Sequence, residues 1–546
     1  MPEALRHFAD RHLTLLLAAI IGLLTVLAWS NRFIQDDAFI SYRYAANFVE
    51  GNGLVWNPGE RVEGYTNFLW TLLVSIPLFL KTDPVRFSQA VGIACFILSL
   101  IVTYRLSLVF SVSRYQALLV VLILGTNYTF SEYATGGMET QLQALLFTAA
   151  TWLGLLIVDT RSIKLPLKPV AFSFVLSAAL LTRLDSAIPA VVLLAAVFFA
   201  QARRGRPLKE TAAFVLALLA PMIILIGGWL VWKYRYYGGI IPNTFYAKVS
   251  SSTSYGRGLF YVYAFLRAYL FVPFVFIALF GVADMVRKYR LRILAVLAIL
   301  VLWLLYVIRV GGDFMEFRFL APVLPLLAVF ITELLFSYVR QRTVQTAFII
   351  MIFCGTLLHA VDAGKTLRGS DIERTRQLEG HLVNPDENWI GIGRKLSDLF
   401  GGSDVIIATT AAGAIPYYSR LTTVDMFGLN DSWVAHHGAI ISSRPGHQRG
   451  ATLRYLIERK VNIIIGHPRV RPISQVTMPA CSFESFFVQD ARTEYFGEIP
   501  QNFKIIEIPI DDTYKLVALY LFPNPAVDEL IQQNRITVVN LQYVSE

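Results

Sequence analysis

Asp36 and Asp37 stand side by side just beyond the first long apolar run of a 546-residue chain. Carboxylates at such a boundary are costly unless solvated, paired or put to use. Taken alone, the pair reads equally well as two charges that stop a helix. Its surroundings point further. Tyr42-Arg43-Tyr44 follows closely, and then Asn52-Gly-Leu-Val-Trp-Asn57-Pro-Gly-Glu60-Arg61-Val-Glu63-Gly-Tyr65-Thr-Asn67. Gly, Asn, Trp and Tyr crowded beside carboxylates suit a surface that stacks on sugar rings and fixes their hydroxyls.

The elements that must hold these residues are membrane helices. Hydrophobic residues make up 55% of the chain and charged ones 16%, with a mean hydropathy of +0.54. A soluble protein carries about 25% charged residues, so a purely soluble enzyme is excluded. The net charge of +10 does not signal nucleic acid. Four clusters, Arg161/Lys164/Lys168, Arg203/Arg204/Arg206/Lys209, Arg287/Lys288/Arg290/Arg292 and Arg340/Arg342, hold 13 of the 48 basic residues between long apolar runs. That is the positive-inside pattern of cytoplasmic loops.

Apolar runs fall near 13–30, 66–82, 88–106, 115–130, 140–158, 168–182, 186–201, 211–232, 259–283, 291–309, 319–339 and 343–361. The first is long for a signal peptide, so it reads as a retained helix. Arg105, Arg114 and the clusters share the cytoplasmic side only if the run at 66–82, interrupted by Pro77, does not cross. It reads as a juxtamembrane or re-entrant element. The expectation is a polytopic α-helical protein of eleven crossings over residues 1–361, with the N-terminus cytoplasmic. The segments 31–65, 131–141, 182–186, 233–258 and 311–318 then share the outer face. Residues 362–546 turn globular, with short strands at Asp404–Ala408, Val461–Ile465 and Lys515–Tyr520 and a helix near 450–460. They read as an extracytoplasmic α/β domain. Cys95 and Cys354 lie in apolar runs and Cys481 stands alone among polar surroundings, so no disulfide framework is expected.

The run from Asp36 to Trp70 resembles the first extracytoplasmic loop of GT-C membrane glycosyltransferases, which use polyprenyl-phosphate sugars. Within that fold it is most similar to the terminal β-(1→2) arabinofuranosyltransferases of actinobacterial cell walls. The likeness continues in Gly136-Gly-Met-Glu139-Thr140, Thr182-Arg183-Leu-Asp185, Ile241-Pro-Asn243-Thr-Phe-Tyr246-Ala-Lys248 and Gly311-Gly-Asp313-Phe-Met-Glu-Phe-Arg318. It reaches Ala412-Gly-Ala-Ile-Pro-Tyr-Tyr418 and Val424-Asp-Met-Phe-Gly-Leu-Asn-Asp431 in the C-terminal region.

The resemblance implies a GT-C fold and an inverting transfer of a sugar, arabinofuranose favoured, from a polyprenyl-phosphate donor. The acceptor would be an extracytoplasmic cell-envelope glycan or glycoconjugate, and the setting a bacterial plasma membrane. Asp36 takes the place of the base that removes the acceptor's proton. Asp37 would bind a hydroxyl, an ion or a neighbouring cation. Lys248, Arg183 and Arg318, all on the expected outer face, are the candidates for the departing phosphate. Each has an ordinary alternative: a solvated charge for Lys248, an interfacial anchor for Arg318, a pair with Asp185 for Arg183. Arg43, Glu63, Tyr65, Asn67, Glu139, Asp185, Asn243, Tyr246, Asp313 and His437 are substrate-contact candidates, with Glu139 and Asp313 equally able to cap helices. No metal pattern is present, and a divalent cation, if used, falls to Asp36 or Asp37.

Three other readings compete. One is a GT-C transferase of another lipid-linked sugar onto lipid or protein, and the second a transporter or flippase. The third is a membrane-anchored binding protein whose active part is the C-terminal domain, which would leave the outer-loop carboxylates without purpose. Transport is disfavoured because no internal repeat is visible and the carboxylates crowd one face. No Walker loop or GxGxxG after a strand appears, which argues against a nucleotide-fed pump.

Overall fold

Apolar runs in a bilayer must close their backbone hydrogen bonds internally, and helices do so. The computed structural model describes residues 3–110, 113–159, 167–205, 207–248, 255–361, 367, 370–442, 444, 446–475 and 503–539. Arg161, Lys164, Arg206 and Cys481 lie outside the described residues.

Against the eleven crossings expected, eight helices among the described residues have the length and composition of a span. These are His12–Ser30, Pro84–Phe110, Thr140–Asp159, Leu184–Ala202, Leu208–Tyr237, Leu291–Arg309, Arg318–Tyr338 and Arg342–Val361. The run at 259–283 becomes two helices, Tyr255–Ala268 and Val272–Tyr289, bent by 98°. Pro273 sits in the first turn of the second, where a proline starts a helix but cannot continue one. The runs at 115–130 and 168–182 give the shorter helices Arg114–Thr126 and Leu167–Thr182. The first begins in a reciprocal cap between Ser113 and Gln116 and breaks at Asn127, whose side chain caps Tyr128–Glu132. Phe68–Phe79, expected not to cross, has 12 residues, about 18 Å against a core of about 30 Å.

The expected outer loop opens with a helix. Asp36–Val49 follows an extended Gln35, and ten consecutive residues, Ala38 to Asn47, are buried. This outer helix packs on Phe68–Phe79 and on the C-terminal domain, so Phe39, Tyr42 and Trp70 join the same apolar cluster as the sheet.

That sheet is mixed. The strands are β1 Ile406–Thr409, β2 Thr422–Asp425, β3 Ala439–Ile440, β4 Arg449–Gly450, β5 Ile463–Gly466, β6 Val470–Pro472, β7 Lys504–Pro509, β8 Tyr514–Tyr520 and β9 Thr537–Val539. Among the described residues the order is β2-β1-β5-β8-β7-β9, with β6 also on β8 and β3-β4 a separate pair. β1 pairs parallel with β2 and β5, while β8 runs antiparallel to β5, β6 and β7. Alternation puts Ile463 and Ile465 on the face toward the outer helix and Ile464 on the opposite face. The amphipathic helix Trp389–Phe400 covers the first face with Ile392, Leu396 and Phe400.

Candidate active site

Asp36 and Asp37 occupy the first turn of the outer helix, where carboxylates face the positive end of the helix dipole. Neighbours on a helix point roughly 100° apart, and the two carboxylates meet different partners. Asp36 turns to the C-terminal domain, where its Oδ2 accepts the Gly413 amide at 3.0 Å and its Oδ1 the Ala414 amide at 2.7 Å. Asp37 turns to the membrane bundle, with Oδ2 3.8 Å from Arg318 Nη1 and the side chain 25% exposed.

Arg318 is held by the loop that precedes it. Gly311 and Gly312 are both left-handed, at φ of +83° and +74°, and a Cβ at position 312 would lie 2.7 Å from the Tyr261 ring. Glycine is what this turn admits. The turn brings Asp313 back onto Arg318, Oδ2 accepting from Nε at 2.6 Å, and both side chains are buried. Lys248, on the short helix Asn243–Lys248, is open to solvent and within electrostatic reach of Asp37, Asp313, Arg183 and Arg318.

A second layer backs this cluster. Arg183 donates Nη1 to Glu139 at 2.8 Å and Nη2 to Asp185 at 2.8 Å. Glu139 also accepts from Asn67 at 2.8 Å, and Asp185 from Gln143 at 2.7 Å and the Tyr306 hydroxyl at 3.2 Å. Arg183 therefore does pair with Asp185, and all three of its nitrogens are engaged by carboxylates, Nε reaching Asp185 Oδ2 at 3.0 Å.

Withdrawal from water dominates the protonation equilibria. Burial pushes Asp36 up to about 7; the Ala414 amide opposes this and Asp37 adds to it. Burial also raises Asp37, against the pull of Arg318 and Lys248. The arrangement offers one carboxylate poised near neutrality beside a second carboxylate set among cations.

The structure thus brings Asp36, Asp37, Lys248, Arg183, Arg318, Glu139, Asp185, Asn67 and Asp313 into one region. Four substrate candidates are placed otherwise. Arg43 is 2% exposed and donates to Trp56 O at 2.7 Å, Asn57 Oδ1 at 2.9 Å, Leu421 O at 2.8 Å and Pro416 O. It ties the outer helix to the C-terminal domain. Glu63 forms a buried pair with Lys233 at 2.8 Å. The Tyr65 hydroxyl meets that of Tyr237 at 3.1 Å. Asn243 donates to Gly428 O at 2.8 Å and Leu429 O at 3.0 Å, bracing the Val424–Asp431 turn. Each commits at least one polar atom to a protein partner. Tyr246 is exposed and its ring lies 4.3 Å from that of His436, while exposed His437 leans on Trp433. Among the described residues, no three His, Cys, Asp or Glu side chains group as a metal site. Gly413 and Ala414 lie within the Ala412–Tyr418 motif and act through their backbone amides, which no pattern of side-chain types reveals.

Residues 64–365 match the model of the Alg9-like mannosyltransferase family, more than half of the chain. The chain belongs to that family. Residues 384–534 match a domain of unknown function. The chain is similar to the terminal β-(1→2)-arabinofuranosyltransferase of Mycobacterium tuberculosis, 28% identical over 346 residues that cover 55% of this chain and 52% of that protein. With the enzyme of the same name from Corynebacterium glutamicum it shares 27% over 430 residues, 70% of this chain and 59% of that one. It spans little more than half the length of these curated relatives. Among solved structures, ArnT from Cupriavidus metallidurans in the apo state superposes with a TM-score of 0.52 at 12% identity, covering 94% of this chain and 98% of ArnT. The apo oligosaccharyltransferase of Archaeoglobus fulgidus gives a TM-score of 0.53 at 11% identity, covering 91% of this chain and 74% of that one. The fold is therefore the multi-pass GT-C membrane architecture, in a family of glycosyltransferases.

Proposed function

We propose that this chain transfers a sugar, arabinofuranose favoured, from a polyprenyl-phosphate donor to a cell-envelope glycan or glycoconjugate, with inversion, outside a bacterial plasma membrane. The N-terminus is cytoplasmic and the C-terminal domain extracytoplasmic on this reading. The observation that carries it is the division of labour between the adjacent carboxylates, one gripped by amides with a pKa near neutrality and the other facing Arg318 and Lys248. Similarity to two arabinofuranosyltransferases supports the sugar.

Asp36 accepts the proton of the acceptor hydroxyl as that oxygen attacks the anomeric carbon from the face opposite the phosphate. The bond from that carbon to the phosphate oxygen breaks, and the polyprenyl phosphate leaves with the electron pair. Lys248 meets the developing charge as a point cation, and Arg318 presents a planar fork. Arg183 stands behind them. No strong acid is needed because a phosphate is already a good leaving group. General base action supplies about 10²–10⁴-fold, so much of the remaining acceleration comes from holding donor and acceptor in line. Glu139, Asp185 and Asp313 fix the cations that do so.

The test is a transfer assay on purified protein with polyprenyl phosphates carrying arabinofuranose, mannose, glucose or galactose, with a cell-wall arabinan fragment and a mannan fragment as acceptors. Transfer from polyprenyl-phosphate arabinofuranose with inverted anomeric configuration is expected. Transfer of a hexose instead would correct the sugar, and transfer from none of these donors would refute the reading.

A further inference from the structure

We propose that the C-terminal domain is a working part of the active site, its Gly413 and Ala414 amides positioning the Asp36 carboxylate for catalysis. This rests on Asp36 as the base proposed above, and it gives a role to a region that matches a domain of unknown function.

Both carboxylate oxygens are engaged, Oδ2 by Gly413 N–H at 3.0 Å and Oδ1 by Ala414 N–H at 2.7 Å. Two parallel bonds fix the rotation of the group, which one bond would not. A carboxylate has about four lone-pair sites, so each oxygen keeps one for an incoming hydroxyl. The approach is close enough to specify residue type. A Cβ on Gly413 would lie 1.9 Å from the Asp36 carbonyl oxygen and 2.7 Å from its Cγ.

The same stretch of the domain is seized at two further points along the outer helix. The Phe39 ring lies 5.6 Å from that of Tyr417 and 5.5 Å from that of Tyr418. Arg43 donates to the carbonyls of Pro416 and Leu421. Positions 36, 39 and 43 follow the i, i+3, i+7 spacing of a single helix face. Asp37 falls off that face, toward Arg318. Docking of this one face on residues 413–421 therefore decides which carboxylate is oriented as the base and which is left to the cations.

Gly413→Ala pushes the amide away from Asp36. Ala414→Pro deletes one donor at the first position of the short helix Ala414–Ser419, where proline is accepted. Both are assayed on monodisperse protein with the donor that supports transfer. The expectation is a fall in kcat of about 10²-fold for Gly413→Ala, with the donor KM within about twofold, since a displacement near 1 Å carries a penalty of that size. Wild-type kcat in folded variants, or a raised KM at unchanged kcat, would overturn the proposal. Hydrogen exchange gives a second reading that needs neither variant to fold. In Asp36→Asn the amide NH₂ replaces one acceptor oxygen, so the peptide covering 412–416 should exchange faster than in wild type. Equal exchange would show that the amides do not hold the carboxylate. If Asp36→Asn abolishes transfer while Gly413→Ala leaves it intact, the base stands and the positioning role falls. If Asp36→Asn leaves transfer intact, the base itself falls.

Discussion

Replacing Arg43 with alanine separates a structural tie from a substrate contact. The guanidinium stacks 4.5 Å above the Trp56 ring and donates to four acceptors, two of them in the C-terminal domain. None of the four would be orphaned by its loss. Trp56 O also accepts from Asn47 at 3.0 Å, Asn57 Oδ1 from the Thr423 amide at 3.2 Å, Leu421 O from the Thr423 hydroxyl at 3.0 Å, and Pro416 O from the Arg420 amide at 3.1 Å. Each charged bond is worth about 1.5–3 kcal/mol. Removing the cation also removes its own desolvation penalty, so the net loss falls short of the sum, at about 2–4 kcal/mol. For a domain of this size that lowers the unfolding midpoint by on the order of 10 °C. Tryptophan fluorescence during thermal unfolding in detergent gives the midpoint, and the folded fraction gives the donor KM. Unchanged unfolding with a raised KM would mean that Arg43 holds substrate, and the reasoning would be wrong.

Lys248→Met should lower kcat/KM for the donor roughly 10–100-fold, the value of one charged contact to phosphate, without changing the unfolding midpoint; donor titration checks the first and thermal unfolding the second. Lys233→Met leaves the Glu63 carboxylate buried without its 2.8 Å partner, at about 3–5 kcal/mol, and Lys233→Met with Glu63→Met should recover most of that in thermal unfolding. His381 contacts Glu373 and Glu387, and these partners outweigh burial to raise its pKa from 6.5 to about 9. The folded state therefore holds that proton more tightly. The stability it contributes is complete below pH 6.5 and disappears as pH rises through about 9. Unfolding midpoints measured across that window should fall in wild type and stay flatter in His381→Gln.

Much of this was legible because local chemistry announced it. Basic clusters between apolar runs marked the helices, and β-branched runs marked strands that emerge at Ile406–Thr409, Ile463–Gly466 and Tyr514–Tyr520. Arg318, Lys248 and Arg183 lie within electrostatic reach of one another. What stayed hidden depends on long-range contact. Arg43 sits in a polar, aromatic run that looks like a ligand surface, yet two of its acceptors lie more than 370 residues away. Gly413 and Ala414 carry no polar side chain, so no motif of residue types reveals that their amides grip Asp36. The outer helix itself is buried nearly all round, which erases the apolar stripe that would have distinguished it from a loop.

The most direct measurement is single-turnover transfer by wild type, Asp36→Asn and Asp37→Asn over pH 5–9. Only the ionised carboxylate accepts a proton, so the wild-type rate should climb as pH rises through about 7. Asp36→Asn should run about 10²–10⁴-fold slower with that limb gone, whereas Asp37→Asn should keep the limb. Turnover by Asp36→Asn at the wild-type rate, with the limb in place, would contradict the account.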